Sequence, residues 1–509
     1  MSPSNPGRLF LVTVFLLVSL DFLQSGMTAF AAVPLMGELG MTPEDFSFVS
    51  AVYASVAILS ISMQHWFVER IGPRRLVMYA TIIYATGAVL CALSDDFTSF
   101  LMGRAVMAVG GGGLFTCARM MIHHVLVGPR RFAGIKYLAG GVAANTAAAP
   151  WLASVAVSNE RWSAIYWLLA VLGGVVALLT SVVLDNRPLA EPEQRAKPDL
   201  WPQFFLIGGS FLLLYAFQRF YYDFYDNFLF IATVMIMAVV GLMFYARLQH
   251  AAEKPILRVR NMLHIRYVSG VTLFMFGYMM LGANNYMIPL MLQRTLGYAW
   301  STVGHFEALG FSGGLLTWWV MMRILPHYPS PRKFLVVGFS ALAVYGTLLS
   351  RIDGQAAMWR DILPAIAFYS VFILIVMPVA AMNTFRELEF DESVFANAQQ
   401  IKNMLAQIGV ALGITLATLG QQWRTTAHYA VLNERVASND PTYVEMFQKI
   451  QESLANSAGA VPAAQMATAQ IAQMLSRESA LLAHIDYFSL IAVLGLAGVL
   501  VTLVQRVFR

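Results

Sequence analysis

The chain has 509 residues, of which 58% are hydrophobic and only 12% charged, with a mean hydropathy of +0.63. A soluble domain carries about 25% charged residues, so a large soluble enzyme is excluded and a polytopic membrane protein is implied. The net charge of +5 does not point to nucleic acid, because the basic residues gather in loops on one side of the apolar runs.

Fourteen apolar runs follow in order, at 10–33, 46–68, 76–93, 99–123, 135–157, 163–184, 201–220, 227–246, 267–290, 301–322, 334–350, 361–383, 396–420 and 485–505. Each is about long enough to cross a hydrocarbon core of roughly 30 Å as a helix. The first is too long for a signal-peptide core and reads as a retained span. Most of the 33 Lys and Arg fall at the termini and in the even-numbered gaps. Short inner loops hold the Lys/Arg excess, so both termini are expected in the cytoplasm. Cys91 and Cys117 lie inside apolar runs, which implies neither a disulfide framework nor a thiolate metal site.

The second and third runs are clamped together by Phe67-Val68-Glu69-Arg70-Ile71-Gly72-Pro73-Arg74-Arg75-Leu76-Val77, read as a charged turn of about seven residues. An echo follows the tenth run, where Pro331-Arg332-Lys333-Phe334-Leu335-Val336 repeats Pro73-Arg74-Arg75-Leu76-Val77 in kind. Repeats of this sort build many secondary transporters, with substrate sites between the halves at mid-membrane. The layout is therefore six spans over 1–184, a Pro-rich and charged inner linker over 185–200, two extra spans and an inner loop over 201–266, and six spans over 267–509. The cluster Tyr221 to Asp226 reads as an aromatic interface belt. Leu248 to Arg266 is a second basic inner loop. The region 421–483 is an outer loop, expected as a helical hairpin capped at Asn439-Asp440-Pro441 and broken at Gly459 to Pro462.

The charged turn resembles the signature between spans two and three of the major facilitator superfamily, Gly-x-Leu-Ala-Asp-Arg-x-Gly-Arg-Arg. Arg70, Gly72, Arg74 and Arg75 match it. Glu69 stands in for Asp, His65 for the first Gly, and Pro73 intrudes. In the thirteenth run, Asn403, Gln407, Gly409 and Gly413 resemble the Asn-x-x-Arg-Gln-x-Gly-x-x-x-Gly pattern of the fourteen-span drug:proton antiporters of the EmrB/QacA type, with Ala406 in place of Arg. That branch also carries a long Ala/Gln-rich outer loop before its last helix. The fifth run keeps the Pro of an antiporter motif as Pro150, so a helix bend is expected there. A Trp-Arg-Trp motif is reduced to Arg161-Trp162. The resemblance implies an all-α integral membrane fold of two six-helix bundles plus two extra spans, fourteen transmembrane helices in all.

Charged groups inside the spans need a reason, since each costs at least about 2.5–3.5 kcal/mol at mid-membrane. Asp21 lies near mid-depth in the first run. Arg104, in the fourth, sits within a few ångströms of the same depth, so the two could pair. The family keeps an acid in span one and an Arg in span four for proton coupling. Arg104 matches that Arg, with Met107 and Ala108 replacing the Gln and Gly of its motif. Counted back from Pro34, the family's Asp falls at Ser25, which puts Asp21 one turn early on nearly the same face. A structural ion pair is the competing reading. Glu307, beside His305, is the second-half candidate for a titratable carboxylate, or else snorkels to the outer surface. Asn284, Asn285, Tyr286, Gln400, Lys402 and Asn403 are candidates for lining a substrate cavity, against the alternative that they glue helices together. Glu69, Arg70, Gly72 and Arg74 are candidates for an inner latch, with Arg386 as a partner.

Two patterns carry no site. Gly110 to Gly113 lacks the Lys-Ser/Thr of a phosphate loop and reads as helix packing or a kink. His123 and His124 are adjacent and cannot share a metal as an i, i+4 pair does. No metal and no cofactor are expected.

The expected function is proton-driven efflux of amphipathic small molecules or drugs from the bilayer of a bacterial inner membrane, by alternating access. A periplasmic adaptor protein is an expected partner by family analogy. An importer of the same fold, or a sensor or scaffold without transport, remain open alternatives. A membrane transferase would need a convergent His/Asp or Asp-x-Asp cluster at a membrane face, which the sequence lacks.

Overall fold

A computed structural model of the chain describes residues 7–126, 129–184, 200–223, 227–252, 255–257, 264–324, 330–388, 392–435, 441–458 and 460–508. These residues form helices and turns with no strand among them. The linker 185–199, the end of the aromatic cluster at 224–226, parts of the loops 248–266 and 323–336, Asn439-Asp440 and the side chains of His123 and His124 lie outside the described residues.

The first bundle comprises α1 (Arg8–Phe30), α2 (Ala32–Glu38), α3 (Pro43–Ile71), α4 (Pro73–Ala92), α5 (Phe97–Gly111), α6 (Leu114–Val125), α7 (Pro129–Ser158) and α8 (Ser163–Val183). An inserted hairpin, α9 (Trp201–Asp223) and α10 (Phe228–Ala251), follows. The second bundle holds α11 (Ile265–Leu290), α12 (Trp300–Ile324), α13 (Pro331–Leu349), α14 (Leu363–Thr384), α15 (Glu392–Arg435), α16 (Pro441–Ala458) and α17 (Ala460–Val504). Every apolar run of the sequence lies on helix, and eleven helical stretches are long and apolar enough to cross a membrane. The helices α7, α9 and α12 are outside those eleven. Gly140, Gly141, Asn145, Pro150 and Trp151 lower the hydropathy of α7. Gln203, Gln218 and Arg219 do so in α9, and His305 and Glu307 in α12.

The charged stretch around Gly72 is tighter than the expected seven-residue turn. Glu69 and Arg70 belong to the last turn of α3, and Arg74 and Arg75 to the first turn of α4. Gly72 alone reverses the chain, at φ +82°, a left-handed conformation that favours glycine. Pro73 then starts α4 at a position where no backbone N–H is needed. The sequence echo falls at the matching place, because Pro331 opens α13 in the same way. At its other end α3 starts from a capping box, in which Asp45 N–H donates to Thr42 Oγ1 (3.1 Å) and Thr42 N–H to Asp45 Oδ2 (2.9 Å).

Gly110 to Gly112 allow close packing. A Cβ at Gly112 would lie 2.6 Å from Ala57 Cα, and one at Gly111 would lie 2.8 Å from the Tyr84 ring. The helix breaks directly after them, between α5 and α6. In the second bundle Gly282, Gly409 and Gly413 bring α11 and α15 together in the same manner.

The region 421–483 differs from the expected separate loop. The thirteenth run continues unbroken in α15 to Arg435, and α17 runs from Ala460 through the fourteenth run. Helix formers after Gly420 and after Pro462 carry the backbone past both expected boundaries, and Gly420 itself stays helical. The hairpin helices are therefore extensions of the spans, joined by α16.

Two seams connect the bundles, α7 against α12 and α3 against α15. The hairpin covers the second seam. Leu206 and Leu214 of α9 pack with Ile58 and Ile61 of α3 and with Met404 and Ile408 of α15. Ser62 donates to Gln203 Oε1 (2.9 Å), Gln218 to the Glu44 carbonyl (2.7 Å), and Arg219 pairs with Glu44 at 3.0 Å.

Candidate functional site

A cavity of about 80 Å³ lies between the bundles, walled by α1, α3, α5, α6 and α7 from one side and α11, α12 and α15 from the other. Drug-sized ligands occupy roughly 300–1,000 Å³, so a substrate of that size needs the bundles to separate from the arrangement seen here. Towards the face bearing the α2–α3 connection, Phe46 stacks on Tyr286 (5.9 Å) and Phe30 meets Trp300 (5.5 Å). Towards the face bearing Gly72, Gln400 Nε2 donates to the Ile61 carbonyl (2.9 Å), and Asn403 Nδ2 donates to Thr116 Oγ1.

Asp21, Arg104 and Glu307 all line this cavity. Asp21 is half-buried on α1. Arg104 is 5% exposed, and the expected ion pair with Asp21 is not among the ion pairs of the described residues. Its Nη1 donates to Gln24 Oε1 (2.9 Å) and its guanidinium lies 4.3 Å from the centre of the Tyr53 ring. Glu307 is 2% exposed and its Oε1 has no hydrogen-bond partner. It is inside the cavity, away from the outer surface where snorkelling would put it. His305 faces elsewhere and bonds the Ser301 carbonyl of its own helix.

The polar residues of α11 and α15 divide. Asn285 and Asn403 line the cavity. Asn284 is fully buried behind it, accepting from Tyr345 (2.6 Å) and Tyr487 (3.3 Å) and donating to the Met280 carbonyl (2.8 Å). Tyr286 forms the aromatic contact to Phe46, and Gln400 the bond to α3, so both sit at the bundle interface and outside the cavity wall. Lys402 is 1% exposed, with its ammonium 4.9 Å from the centres of the Phe115 and Phe274 rings and 5.9 Å from that of Tyr278. Successive helical residues point about 100° apart, which is why neighbours in sequence separate into wall and packing.

Around Gly72, Glu69 faces its own helix and meets His65 at 3.3 Å, and Arg70 stacks on Trp66 at 4.3 Å. Arg74 is half-buried and Arg386 exposed. Pro150 lies within α7 at the first seam, where a Cβ on Gly304 of α12 would come 2.7 Å from the Pro150 carbonyl oxygen. Among the described residues no group of three or more His, Cys, Asp or Glu could hold a metal ion.

Sequence reading passed over Gln24, Tyr53 and Tyr278. Gln24 lies one turn beyond Asp21 on the same face, and that spacing was the available signal. Tyr53 and Tyr278 sit in apolar runs with nothing to mark them.

A family model described as Major Facilitator Superfamily matches residues 14–414. An uncharacterized MFS-type transporter, YhcA of Bacillus subtilis, is 24% identical over 88% of this chain and 83% of its own length. The multidrug export protein EmrB of Escherichia coli is 21% identical over 96% of this chain and 93% of its own. Among solved structures, an inward-facing, occupied bacterial homolog of the human lysosomal transporter Spinster aligns with a TM-score of 0.59 at 13% identity, covering 98% and 97% of the two chains. An auto-inhibited POT family peptide transporter aligns at 0.61 with 14% identity, covering 98% of each.

Proposed function

The chain belongs to the major facilitator superfamily, and from that premise we propose that it is a proton-coupled exporter of amphipathic small molecules, working by alternating access. One observation carries the reading. Carboxylates from the two bundles, Asp21 on α1 and Glu307 on α12, line one cavity, and Glu307 Oε1 has no partner there. A buried, unpartnered carboxylate is costly as an anion in a low-dielectric site, so it is well placed to take either a proton or a cationic group of a substrate. It cannot readily hold both, and that exclusion links proton entry to substrate release. The likeness to the multidrug export protein EmrB supports the substrate class.

The excess of Lys and Arg on the Gly72 face supports an orientation with both termini in the cytoplasm, and the likeness to bacterial transporters supports a bacterial inner-membrane location. On that orientation the extended ends of α15 and α17, with α16, project to the periplasm and offer the surface for an adaptor protein.

The test uses inside-out vesicles acidified within, a panel of lipophilic cations, weak acids and aromatic acids, and the variants Asp21→Asn and Glu307→Gln. At least one compound is expected to collapse the pH gradient with the wild type, and each variant to abolish that response. Substrate-driven proton movement that persists in both variants sinks the assignment. Uptake without proton movement would favour an importer.

A further inference from the structure

We propose that Lys402 on α15, rather than Arg104, is the counter-charge against which Asp21 works, and that the two bundles close an aromatic cage around it. The proposal deepens the proton-coupled reading, and its meaning for transport rests on that reading.

The cage is assembled from both bundles. Phe115 comes from α6 of the first, and Phe274 and Tyr278 come from α11 of the second. Ring faces attract an ammonium but recover only part of what it loses on leaving water. No ion pair among the described residues involves Lys402. A buried cation in that position calls for an anion nearby, and Asp21 is the carboxylate of the first bundle on the cavity whose wall includes the cage rings Phe115 and Tyr278.

The geometry connects the two. Phe115 and Tyr278 are cage rings and also walls of the cavity that Asp21 lines. Phe22, next to Asp21, packs on Phe115 with ring centres 6.0 Å apart. Arg104 lines the same cavity but is engaged by Gln24 and Tyr53. The other charged and titratable groups here are Glu307 from α12, Tyr53 from α3, Tyr84 from α4, Tyr166 from α8 and Arg119 from α6. Arg119 is the like charge that acts on Lys402, and it stacks over Phe385 and Phe395.

The consequence is a link between conformation and protonation. Parting the bundles on the Gly72 face withdraws Phe115 from Lys402 and admits water to the ammonium. Water weakens its hold on Asp21. Conversely, a proton arriving at Asp21 removes the charge that Lys402 opposes.

The experiment is an infrared pH titration of the purified protein in lipid nanodiscs, with the Asp21 carboxyl band assigned by its loss in Asp21→Asn. Lys402→Met, which keeps the length and removes the charge, is expected to raise the midpoint of that band by about one pH unit or more. Lys402→Arg should restore it, and Arg104→Gln should move it less. A second uncharged variant, Lys402→Gln, covers failure of the first to fold. An unchanged midpoint in both uncharged variants, or a larger shift in Arg104→Gln, overturns the proposal. The readout needs neither substrate nor gradient. If the midpoint moves as expected while Asp21→Asn still supports substrate-driven proton movement, the pairing stands and the coupling reading falls.

Discussion

Gly304→Ala tests the seam between the bundles at its tightest point. In the present arrangement an added Cβ overlaps Ser154 and lies 2.7 Å from the Pro150 carbonyl oxygen, whereas ordinary contacts start at 3.4 Å. Closing that gap requires α12 to retreat from α7 by about 0.7 Å at the carbonyl, and further at Ser154. Overpacking of this kind costs about 1–3 kcal/mol, and each 1.4 kcal/mol is a tenfold change in population. The compact seam should therefore lose roughly 5- to 150-fold in weight against conformations in which α7 and α12 stand apart. Gly313→Ala is the matched control, because on the same helix a Cβ there meets nothing closer than 3.7 Å. The assay is pulsed electron–electron distance measurement between spin labels at Asn159→Cys and Ser301→Cys, with the native Cys91 and Cys117 replaced. Gly304→Ala should lengthen the distance distribution and slow transport, while Gly313→Ala matches the wild type. Identical distributions for all three proteins would refute the reasoning, since the seam would then absorb a methyl group without moving.

Asn284→Ala should destabilise the second bundle by about 2 kcal/mol, because the buried Tyr345 hydroxyl loses its acceptor. Unfolding in detergent would show the loss, with the KM for substrate unchanged, since Asn284 lies outside the cavity wall. Asp486→Asn should loosen α15 from α17. Arg424 Nε and His428 Nε2 both approach Asp486 Oδ2 at 2.6 Å, and these half-exposed contacts are worth about 1 kcal/mol together. A double-mutant cycle with Arg424→Gln, read by thermal unfolding, should give the Arg424 share of that figure, about 0.5 kcal/mol, and additive effects would count against the contact.

The helices and their order were legible because hydrophobic runs and turn chemistry are local properties. The reversal at Gly72 with Pro73 behind it, and the break after Gly110 to Gly112, follow from the same kind of information. Depth in the membrane was legible too, which is why Asp21, Arg104 and Glu307 were singled out and why all three meet at one cavity. Direction around the helix axis was not. Asp21 and Arg104 share a depth, yet Arg104 turns to Gln24 and Tyr53, a choice set by where α1 and α3 sit relative to α5. Asn284 and Asn285 differ by one residue, and only the packing of Tyr345 and Tyr487 decides which of them faces the cavity. The extent of α15 and α17 was missed because Ala- and Gln-rich sequence is equally compatible with a loop-side helix and with the continuation of a span.

The hairpin α9–α10 carries a mechanical consequence. It runs alongside α3 and is pinned to it near both ends, through Gln203 to Ser62 at one and through Gln218 and Arg219 to Glu44 at the other. Toward α15 it presents Leu206 and Leu214, whose contacts have no preferred register. A body fixed along one partner and greased along the other travels with the first. The hairpin is in effect a skid carried by the first bundle, so α15 can slide beneath it while the seam stays shut to lipid chains. Rocking then breaks the Gln400 bond to the Ile61 carbonyl between α15 and α3 while the hairpin's own bonds to α3 stay intact, and the outlet for cargo is left to the ends of the cleft.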